Sequence, residues 1–218
     1  EYALESNLIE EVVVSTDDAK ITRIANSAGA MVINRPEELA TDTATTESTI
    51  HHYLNKFSKK PDIVVLLQAT SPLRPKGSLD KALKHFNKGR YDSLLSISPT
   101  HRFFWRVKND DTAYAEYDYL NRPLRQDMKL EDMRYLENGS LYIFSRKHFE
   151  KMGNRLGGKI GYVAWPEEYS IEIDTSLDFE FVEKIYKSQN SWVTEKIFFP
   201  PYPSHLKSFQ FILLAYFY

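Results

Sequence analysis

Apolar positions along the chain follow two alternating spacings, and this alternation predicts an α/β protein. Short continuous apolar runs are typical of strands that are buried on both faces. Segments with apolar residues at i, i+3, i+4 and i+7 are typical of amphipathic helices. Strands and helices alternate, which predicts a Rossmann-like parallel sheet with helices on both faces. The predicted strands lie at 12–14, 31–33, 63–67, 94–97, 141–144 and 162–165, and the predicted helices lie around 21–28, 50–57, 79–86, 147–152 and 179–186.

The two ends of the chain and its middle depart from this rhythm. Residues 1–11 predict a helix, and because such a helix normally follows a strand, we expect a first strand and its loop to be absent. Residues 98–139 hold no long periodic segment, which is typical of a lid or an insertion. The apolar run at 211–218 is shorter than the ~20 residues of a membrane span. The predicted domain therefore covers residues 1–190, and residues 191–218 form a tail of unknown structure.

Composition excludes several classes of protein. The 218 residues include no cysteine, which excludes disulfide frameworks, thiolate zinc sites and cysteine nucleophiles. The 28 basic and 30 acidic residues leave a net charge of -2, which gives no bulk attraction for nucleic acid or an anionic membrane. The 42% hydrophobic content is typical of a globular protein. Only 8 glycines are present, and phosphate-binding loops rely on glycine.

Two segments that look like binding motifs are better explained as turns. Residues 153–159 have the spacing Gly-x-x-x-x-Gly-Lys, but Ile160 stands where a phosphate loop needs Ser or Thr. The segment also leads from a helix into a strand, so we predict a glycine-rich turn. Residues 138–140 have the pattern of a glycosylation sequon, and they too are expected to form a turn.

Polar side chains follow several predicted strands, at the edge of the sheet where ligands bind in such folds. Residues 66–75 bring amide, hydroxyl and guanidinium groups to a strand end, which suits a ligand with hydroxyls and a phosphate. The alternative is a proline-stiffened loop whose hydroxyls stabilise local turns. Residues 35–46 could read the edge of a base, or could only cap the next helix. The groups at the first strand end are Gln68, Thr70, Ser71 and Arg74.

Glu172 and Asp174 form a candidate cation site. Residues two apart in a strand point to the same side, and two carboxylates together suit Mg²⁺ that is also held by substrate phosphates. If the segment is extended, the intervening Ile171 and Ile173 face the core. The alternative is an acidic strand end at which Asp174 or Thr175 caps the last helix.

Five segments together make the sequence resemble the CMP-N-acylneuraminate synthetases, which are cytidylyltransferases of sialic acids and related nine-carbon sugars. The resemblance covers about residues 1–187. It implies a Rossmann-like α/β fold of the nucleotide-diphospho-sugar transferase type, with a small dimerisation segment that we place at residues 145–168. The five segments are VVVSTDD (12–18), RPEELATDTA (35–44), LLQATSPLR (66–74), NGSLYIF (138–144) and SIEIDTSLDF (170–179).

The resemblance implies where a nucleotide binds. Arg35, Ala44 and Thr46 match positions around the cytosine and the ribose. Gln68 matches a residue between nucleotide and sugar, and is implied to be catalytic. Members of the family begin with a strand and a basic loop that wraps the triphosphate. Glu1 matches a point beyond that loop, so we expect the phosphate half of the site to be missing and activity to be impaired.

The resemblance also implies a sugar site and a metal site. Arg106, Arg125 and Tyr142 match positions near the carboxylate and hydroxyls of the acyl sugar, with Arg125 also catalytic. Glu172 and Asp174 match an acid pair that binds Mg²⁺. That pair is usually Asp-x-Asp, and the longer Glu172 is expected to reach the metal through water.

The implied activity is that of a nucleotidyltransferase. CTP and an acidic nine-carbon sugar give a CMP-sugar and pyrophosphate, by attack of the anomeric hydroxyl on the α-phosphorus. The implied enzyme is a cytoplasmic homodimer with no nucleic-acid or membrane partner. Three alternatives stay open: a cytidylyltransferase for another acidic sugar such as a legionaminic, pseudaminic or octulosonic acid, a glycosyltransferase with a similar core, and a catalytically inactive chain that dimerises or binds a partner.

Overall fold

The computed structural model describes residues 1–57, 60–128, 133–189 and 212–217. Short 3₁₀ turns lie at Glu37–Leu39, Arg125–Asp127 and Glu167–Tyr169. The helices are α1 (Ala19–Ser27), α2 (Thr46–Lys56), α3 (Ser78–Gly89), α4 (Arg146–Met152) and α5 (Ser176–Gln189). The strands are β1 (Glu11–Thr16), β2 (Met31–Asn34), β3 (Ile63–Gln68), β4 (Ser93–Thr100), β5 (Trp105–Val107), β6 (Ala113–Ala115), β7 (Arg134–Ser145), β8 (Ile160–Ala164) and β9 (Ile212–Phe217).

Seven of these strands form one sheet in the order β2-β1-β9-β3-β7-β4-β8. Strands β1 and β2 pair in parallel, as do β4 and β8, whereas β7 and β9 are antiparallel to both of their neighbours. The predicted α/β class is confirmed, but the sheet is mixed rather than parallel. Strand β7 contains the strand predicted at 141–144 and is reversed, and β9 lies outside the predicted strands. Strands β5 and β6 form a separate hairpin inside the predicted insertion.

The sheet is covered on both faces, which explains the continuous apolar runs. Val65 and Leu67 of β3 pack in one core, together with buried residues of α1 and α3. Val64 and Leu66 point to the other face and pack with buried residues of α2 and α4. Because successive strand residues point to opposite faces, a strand covered on both sides needs an apolar residue at every position.

The predicted helix at residues 1–11 is wrong. The segment consists of turns and bends as far as β1. Ala3 is buried in the first core, and the Tyr2 hydroxyl lies 2.6 Å from Ser78 Oγ at the start of α3. These tertiary contacts hold the segment in an irregular path, because they bury its apolar side chains without a helix.

Side-chain caps start the first two helices directly after strand-end loops. The carboxylate of Asp18 accepts hydrogen bonds from the backbone N–H groups of Lys20 and Ile21, at 2.7 and 2.8 Å. The hydroxyl of Thr45 accepts one from Ser48 at 3.1 Å. The cap at Thr45 lies in the segment 35–46, for which helix capping was one of the two predicted roles. The two caps fix the loops after β1 and β2 at the same edge of the sheet.

The glycine-rich segment 153–159 is a turn between α4 and β8, as predicted. Gly153 ends α4 with φ of 67°. The Ser93 hydroxyl donates to the Gly157 carbonyl at 2.8 Å and accepts from its N–H at 3.0 Å. Since Ser93 begins β4, the turn lies at the edge opposite the strand ends. Among the described residues, no helix has the length and apolar character to cross a membrane.

Candidate functional site

The carboxyl ends of five strands meet at one edge of the sheet. Strands β1, β2, β3, β4 and β8 point the same way, because each reversed strand separates two strands of equal direction. Strand β7 starts at this edge. Ligands bind beyond the carboxyl ends of strands in open α/β sheets. Most of the predicted site residues follow these strand ends.

Strand β7 carries a bulge close to this edge. Its register against β4 shifts between Leu95 and Ile97. Asn138 is 0% exposed, and its Oδ1 accepts a hydrogen bond from Ser96 Oγ at 2.5 Å. The predicted turn at 138–140 is therefore wrong: the segment is a bulge inside a strand. The burial of Asn138 also excludes its glycosylation in the folded chain.

Gly139 lies in this bulge with φ of +62°, and three side-chain oxygens approach it closely. A Cβ at this position would lie 2.9 Å from Glu172 Oε1, 3.1 Å from Ser71 Oγ and 3.2 Å from Gln68 Oε1. Both the backbone angle and these contacts require glycine. The missing side chain lets the end of β3 and the acidic segment come together. We call the three oxygens, Glu172 Oε1, Ser71 Oγ and Gln68 Oε1, the Gly139 cradle.

The acid pair lies in an irregular segment between β8 and α5. The segment is joined to the loop after β3 by a hydrogen bond from the Ile173 N–H to the Thr70 carbonyl, at 2.8 Å. Burial raises the pKa of the half-buried Glu172, and the nearby charges of Asp174 and Glu137 raise it further. Three carboxyl groups thus lie near one another at this edge, and that of Asp174 is exposed to solvent.

Helix α5 is capped by Thr175. Of the two residues that the alternative interpretation offered as caps, Asp174 and Thr175, the helix uses Thr175. Thr175 Oγ1 accepts from the Asp178 N–H at 3.3 Å, and the Asp178 carboxylate accepts from the Thr175 N–H at 2.8 Å. This reciprocal pair is a capping box. The cap does not use the Asp174 carboxylate, which stays available to a ligand. Ile171 and Ile173 are only partly buried.

The acid pair fits Mg²⁺ that is bound together with a phosphate. The described residues contain no group of three His, Cys, Asp or Glu side chains that could hold a metal. Mg²⁺ commonly keeps several waters and takes one or two protein carboxylates plus substrate phosphates. Two neighbouring carboxylates whose charges disfavour each other suit such a cation.

The residues matched to the base and ribose lie around the ends of β1 and β2. Arg35 is 3% exposed, and its guanidinium donates to the Ser15 carbonyl at 2.6 Å. Burial lowers the pKa of Arg35. Thr46 is the first residue of α2, and Ala44 lies in the loop before it; both are half-buried. Arg35 therefore ties the two strand ends together, next to the loop that holds the other two residues.

Arg74 is used within the protein. Its guanidinium donates to the Gln68 carbonyl at 2.7 Å and to the Ser140 carbonyl at 3.1 Å, and it lies 5.5 Å from the centre of the Tyr2 ring. Burial lowers its pKa to about 10, so that it stays charged at neutral pH. It joins the end of β3 to β7 beside the Gly139 cradle.

The residues matched to the sugar have different surroundings. Arg125 is exposed in a 3₁₀ turn and lines an open cavity of about 890 Å³. Arg106, on the hairpin, is paired with Glu116. The wall of the cavity combines three guanidinium groups with aromatic rings. These residues are Arg102, Arg122 and Arg125, with Phe103, Trp105 and Tyr117.

Tyr142 is buried below the site, at 2% exposure. Its hydroxyl donates to Glu137 Oε1 at 2.5 Å, and the Arg155 guanidinium lies 4.5 Å from the centre of its ring. Burial, followed by the hydrogen bond to Glu137, raises the pKa of Tyr142. The structure thus places a carboxylate between the Tyr142 hydroxyl and the solvent-exposed edge.

Comparison with known proteins identifies the family. Residues 1–197 match the family described as Cytidylyltransferase. The chain belongs to the cytidylyltransferase family. It is 35% identical over 187 residues to N-acylneuraminate cytidylyltransferase A of Danio rerio, and the aligned region covers 84% of this chain and 42% of that protein. It is 30% identical over 196 residues to post-translational flagellin modification protein B of Campylobacter coli, covering 86% of this chain and 82% of that protein.

The predicted family is thereby confirmed, and solved structures agree on the fold of this chain. The chain spans less than half the length of the Danio rerio relative. CMP:2-keto-3-deoxy-manno-octonic acid synthetase, solved with CTP, superimposes with a TM-score of 0.60 at 15% identity, covering 86% of this chain and 85% of that one. A 4-diphosphocytidyl-2C-methyl-D-erythritol synthase from Anaerococcus prevotii gives 0.53 at 13% identity, covering 78% and 77%.

Two features of the site were not predicted from the sequence. Gly139 is expected in a turn, and its signal for a bulge is its place just before the apolar run of the predicted strand at 141–144. Glu137 was not considered, and its one signal is that it stands two residues before Gly139. Both residues lie near the site because β7 is antiparallel and starts at the edge where its neighbours end.

Proposed function

We propose that the protein is a nucleotidyltransferase that forms a CMP-activated acidic sugar and pyrophosphate from CTP and an acidic nine-carbon sugar. One observation carries the proposal. In a chain of the cytidylyltransferase family, the Gly139 cradle brings Gln68 and Glu172 together at the strand-end edge. An amide and a carboxylate from separate segments meet where such folds bind their ligands.

In this proposal the site has a nucleotide side and a metal side. Arg35, Ala44 and Thr46 surround the cytosine and ribose, because they lie at the ends of β1 and β2. Glu172 and Asp174 hold Mg²⁺, which when bound neutralises charge on phosphate oxygens. Positioned charges of this kind supply much of the catalysis in phosphoryl transfer.

The sugar side of the proposed site is carried by two groups. Gln68 orients the sugar against the nucleotide from the end of β3, and its amide can both donate and accept. Arg125 binds the sugar carboxylate, since a guanidinium can take a carboxylate with two parallel hydrogen bonds. Tyr142 acts indirectly, because its hydroxyl holds the Glu137 carboxylate by a hydrogen bond. Arg106 is left out of the proposal, because Glu116 already pairs with its guanidinium.

The proposed activity is tested by incubating the protein with CTP, MgCl₂ and N-acetylneuraminate and measuring pyrophosphate and the CMP-sugar. A second arm replaces the sugar with 2-keto-3-deoxy-manno-octonate, and a third uses legionaminic or pseudaminic acid. The third arm is included because a 30% identical relative is named for flagellin modification. Product in the second or third arm alone reassigns the sugar. Product in no arm rejects the activity.

Replacing Arg125 by alanine is expected to raise the KM for the sugar about tenfold or more, with little change in the KM for CTP. The exposed guanidinium lies in a cavity with two other arginines, so its loss should remove a carboxylate contact without unfolding the chain. Steady-state kinetics with each substrate varied gives both constants. Arg23→Ala, at an exposed position on α1, is the control and should leave both constants unchanged. An unchanged sugar KM in the Arg125 variant removes this residue from the site.

We further propose a cytoplasmic homodimer that assembles through residues 145–168. Strand β8 is the outermost strand at one side of the sheet, and Tyr162 on it is 56% exposed. Exposed aromatic side chains on an edge strand are typical of an interface. Trp165 is buried within its own chain and takes no part. Light scattering at micromolar concentration should give a dimer, and Tyr162→Glu should give a folded monomer; a wild-type monomer contradicts the proposal.

A further inference from the structure

Ser71 carries a buried hydroxyl that the proposed mechanism does not use. The residue is 1% exposed, and its Oγ has no hydrogen-bond partner within the part of the chain that the structure describes. Its backbone is held in place, because its carbonyl accepts a hydrogen bond from Ser140 Oγ at 3.2 Å. A buried hydroxyl without a partner costs free energy, so such a group calls for an explanation.

The surroundings of this hydroxyl indicate what it is for. Ser71 Oγ shares the Gly139 cradle with Gln68 Oε1 and Glu172 Oε1, all within 3.2 Å of one point beside the Gly139 Cα. A carboxylate oxygen and an amide oxygen can only accept hydrogen bonds, whereas a hydroxyl can donate. Ser71 therefore supplies the donor of the Gly139 cradle, and the other two oxygens are acceptors.

We propose that Ser71 is a positioning residue for Gln68 and Glu172, which rests on the proposed function. In the nucleotide-bound protein, the Ser71 hydroxyl would donate a hydrogen bond to Gln68 Oε1 or to Glu172 Oε1. Donation to Gln68 Oε1 leaves the amide N–H groups facing the ligand. Donation to Glu172 fixes one carboxylate oxygen and leaves the other for the cation. Ser71 itself stays beneath the two side chains and does not touch the substrate.

The test is calorimetric binding of CTP in the presence of MgCl₂, together with thermal unfolding of the ligand-free protein. Ser71→Ala is expected to weaken CTP binding about tenfold. Its melting temperature should equal or exceed the wild-type value, because the variant loses no hydrogen bond and no longer buries an unpartnered hydroxyl. Ser71→Thr keeps the donor and should restore binding to within about threefold.

Ser93→Ala is the matched control. Ser93 is equally buried, but its hydroxyl is hydrogen-bonded to both backbone groups of Gly157 at the opposite edge of the sheet. Ser93→Ala should lower the melting temperature and leave the affinity for CTP unchanged, whereas Ser71→Ala should lower only the affinity for CTP. The two serines thus separate a structural hydroxyl from a positioning one.

Four results overturn the inference. If wild type binds CTP and Ser71→Ala binds it within twofold, the positioning role fails while the proposed function stands. If the melting temperature of Ser71→Ala falls as far as that of Ser93→Ala, or if a folded Ser71→Thr binds CTP no better than Ser71→Ala, the hydroxyl is structural. If wild type does not bind CTP, the proposed function fails, and the inference fails with it.

Discussion

Replacing Asp174 by asparagine is expected to lower the rate of CMP-sugar formation at least about 10²-fold, as when one stabilising electrostatic group is removed from other active sites. The carboxylate is exposed and caps no helix, so the free energy of unfolding should stay within about 1 kcal/mol of wild type. The rate is measured by pyrophosphate release with saturating CTP and sugar. Glu172→Asp should keep or raise the rate, since the shorter side chain restores the acid pair that the resemblance leads us to expect.

Asp178→Ala is the control for this prediction. Asp178 lies four residues further on, and its carboxylate accepts a hydrogen bond from the Thr175 N–H, so its loss should lower stability by about 0.5–2 kcal/mol and leave the rate unchanged. Full magnesium-dependent activity of Asp174→Asn would contradict the metal role. An unfolded Asp174→Asn variant would show that the carboxylate is structural.

Replacing Arg74 by methionine is expected to lower the free energy of unfolding by about 2–4 kcal/mol, because the carbonyls of Gln68 and Ser140 lose their donor in a buried setting. Methionine fills similar space without donating. Since Arg74 joins β3 to β7 beside the Gly139 cradle, binding of CTP should weaken as well. Denaturant unfolding gives the free energy, and calorimetry gives the affinity.

Arg23→Met is the matched control for Arg74. Within the part of the chain that the structure describes, the Arg23 guanidinium donates to the Ala19 carbonyl of its own helix at 3.3 Å, and the side chain is exposed. Its replacement should change stability by about 0.5 kcal/mol or less. An Arg74→Met variant as stable as this control would show that water can replace the guanidinium at both carbonyls.

The helices and most strands could be predicted because burial on two faces leaves a direct trace in the sequence. Every residue of β3 from Val64 to Leu67 is buried, so the run is apolar throughout. The direction of a strand leaves no such trace, so the strand predicted at 141–144 gave no sign that β7 is reversed. Strand β9 lies in the segment 191–218, for which no structure was predicted. The helix predicted at the start of the chain failed because Ala3 and Tyr2 find partners in the folded protein that local spacing does not reveal.

The candidate site was predicted in part. Gln68, Glu172 and Asp174 could be singled out because polar groups at strand ends stand apart from the apolar runs. That Gln68 and Glu172 share the Gly139 cradle could not be predicted, because the contact depends on a bulge in a strand distant from both in sequence. The surroundings of Arg106 and Tyr142 depend on Glu116 and Glu137, which no local pattern connects to them.

The position of β9 has a consequence for how the sheet is completed. Residues 212–217 lie between β1 and β3, so the middle of the sheet is closed by the described segment that is farthest along the chain. Until it docks, β1 and β3 each present an unpaired edge to any other strand. Pairing over about 200 residues of chain is slow to form. A newly made chain therefore depends on this last step for protection against aggregation, which should make its refolding yield sensitive to protein concentration.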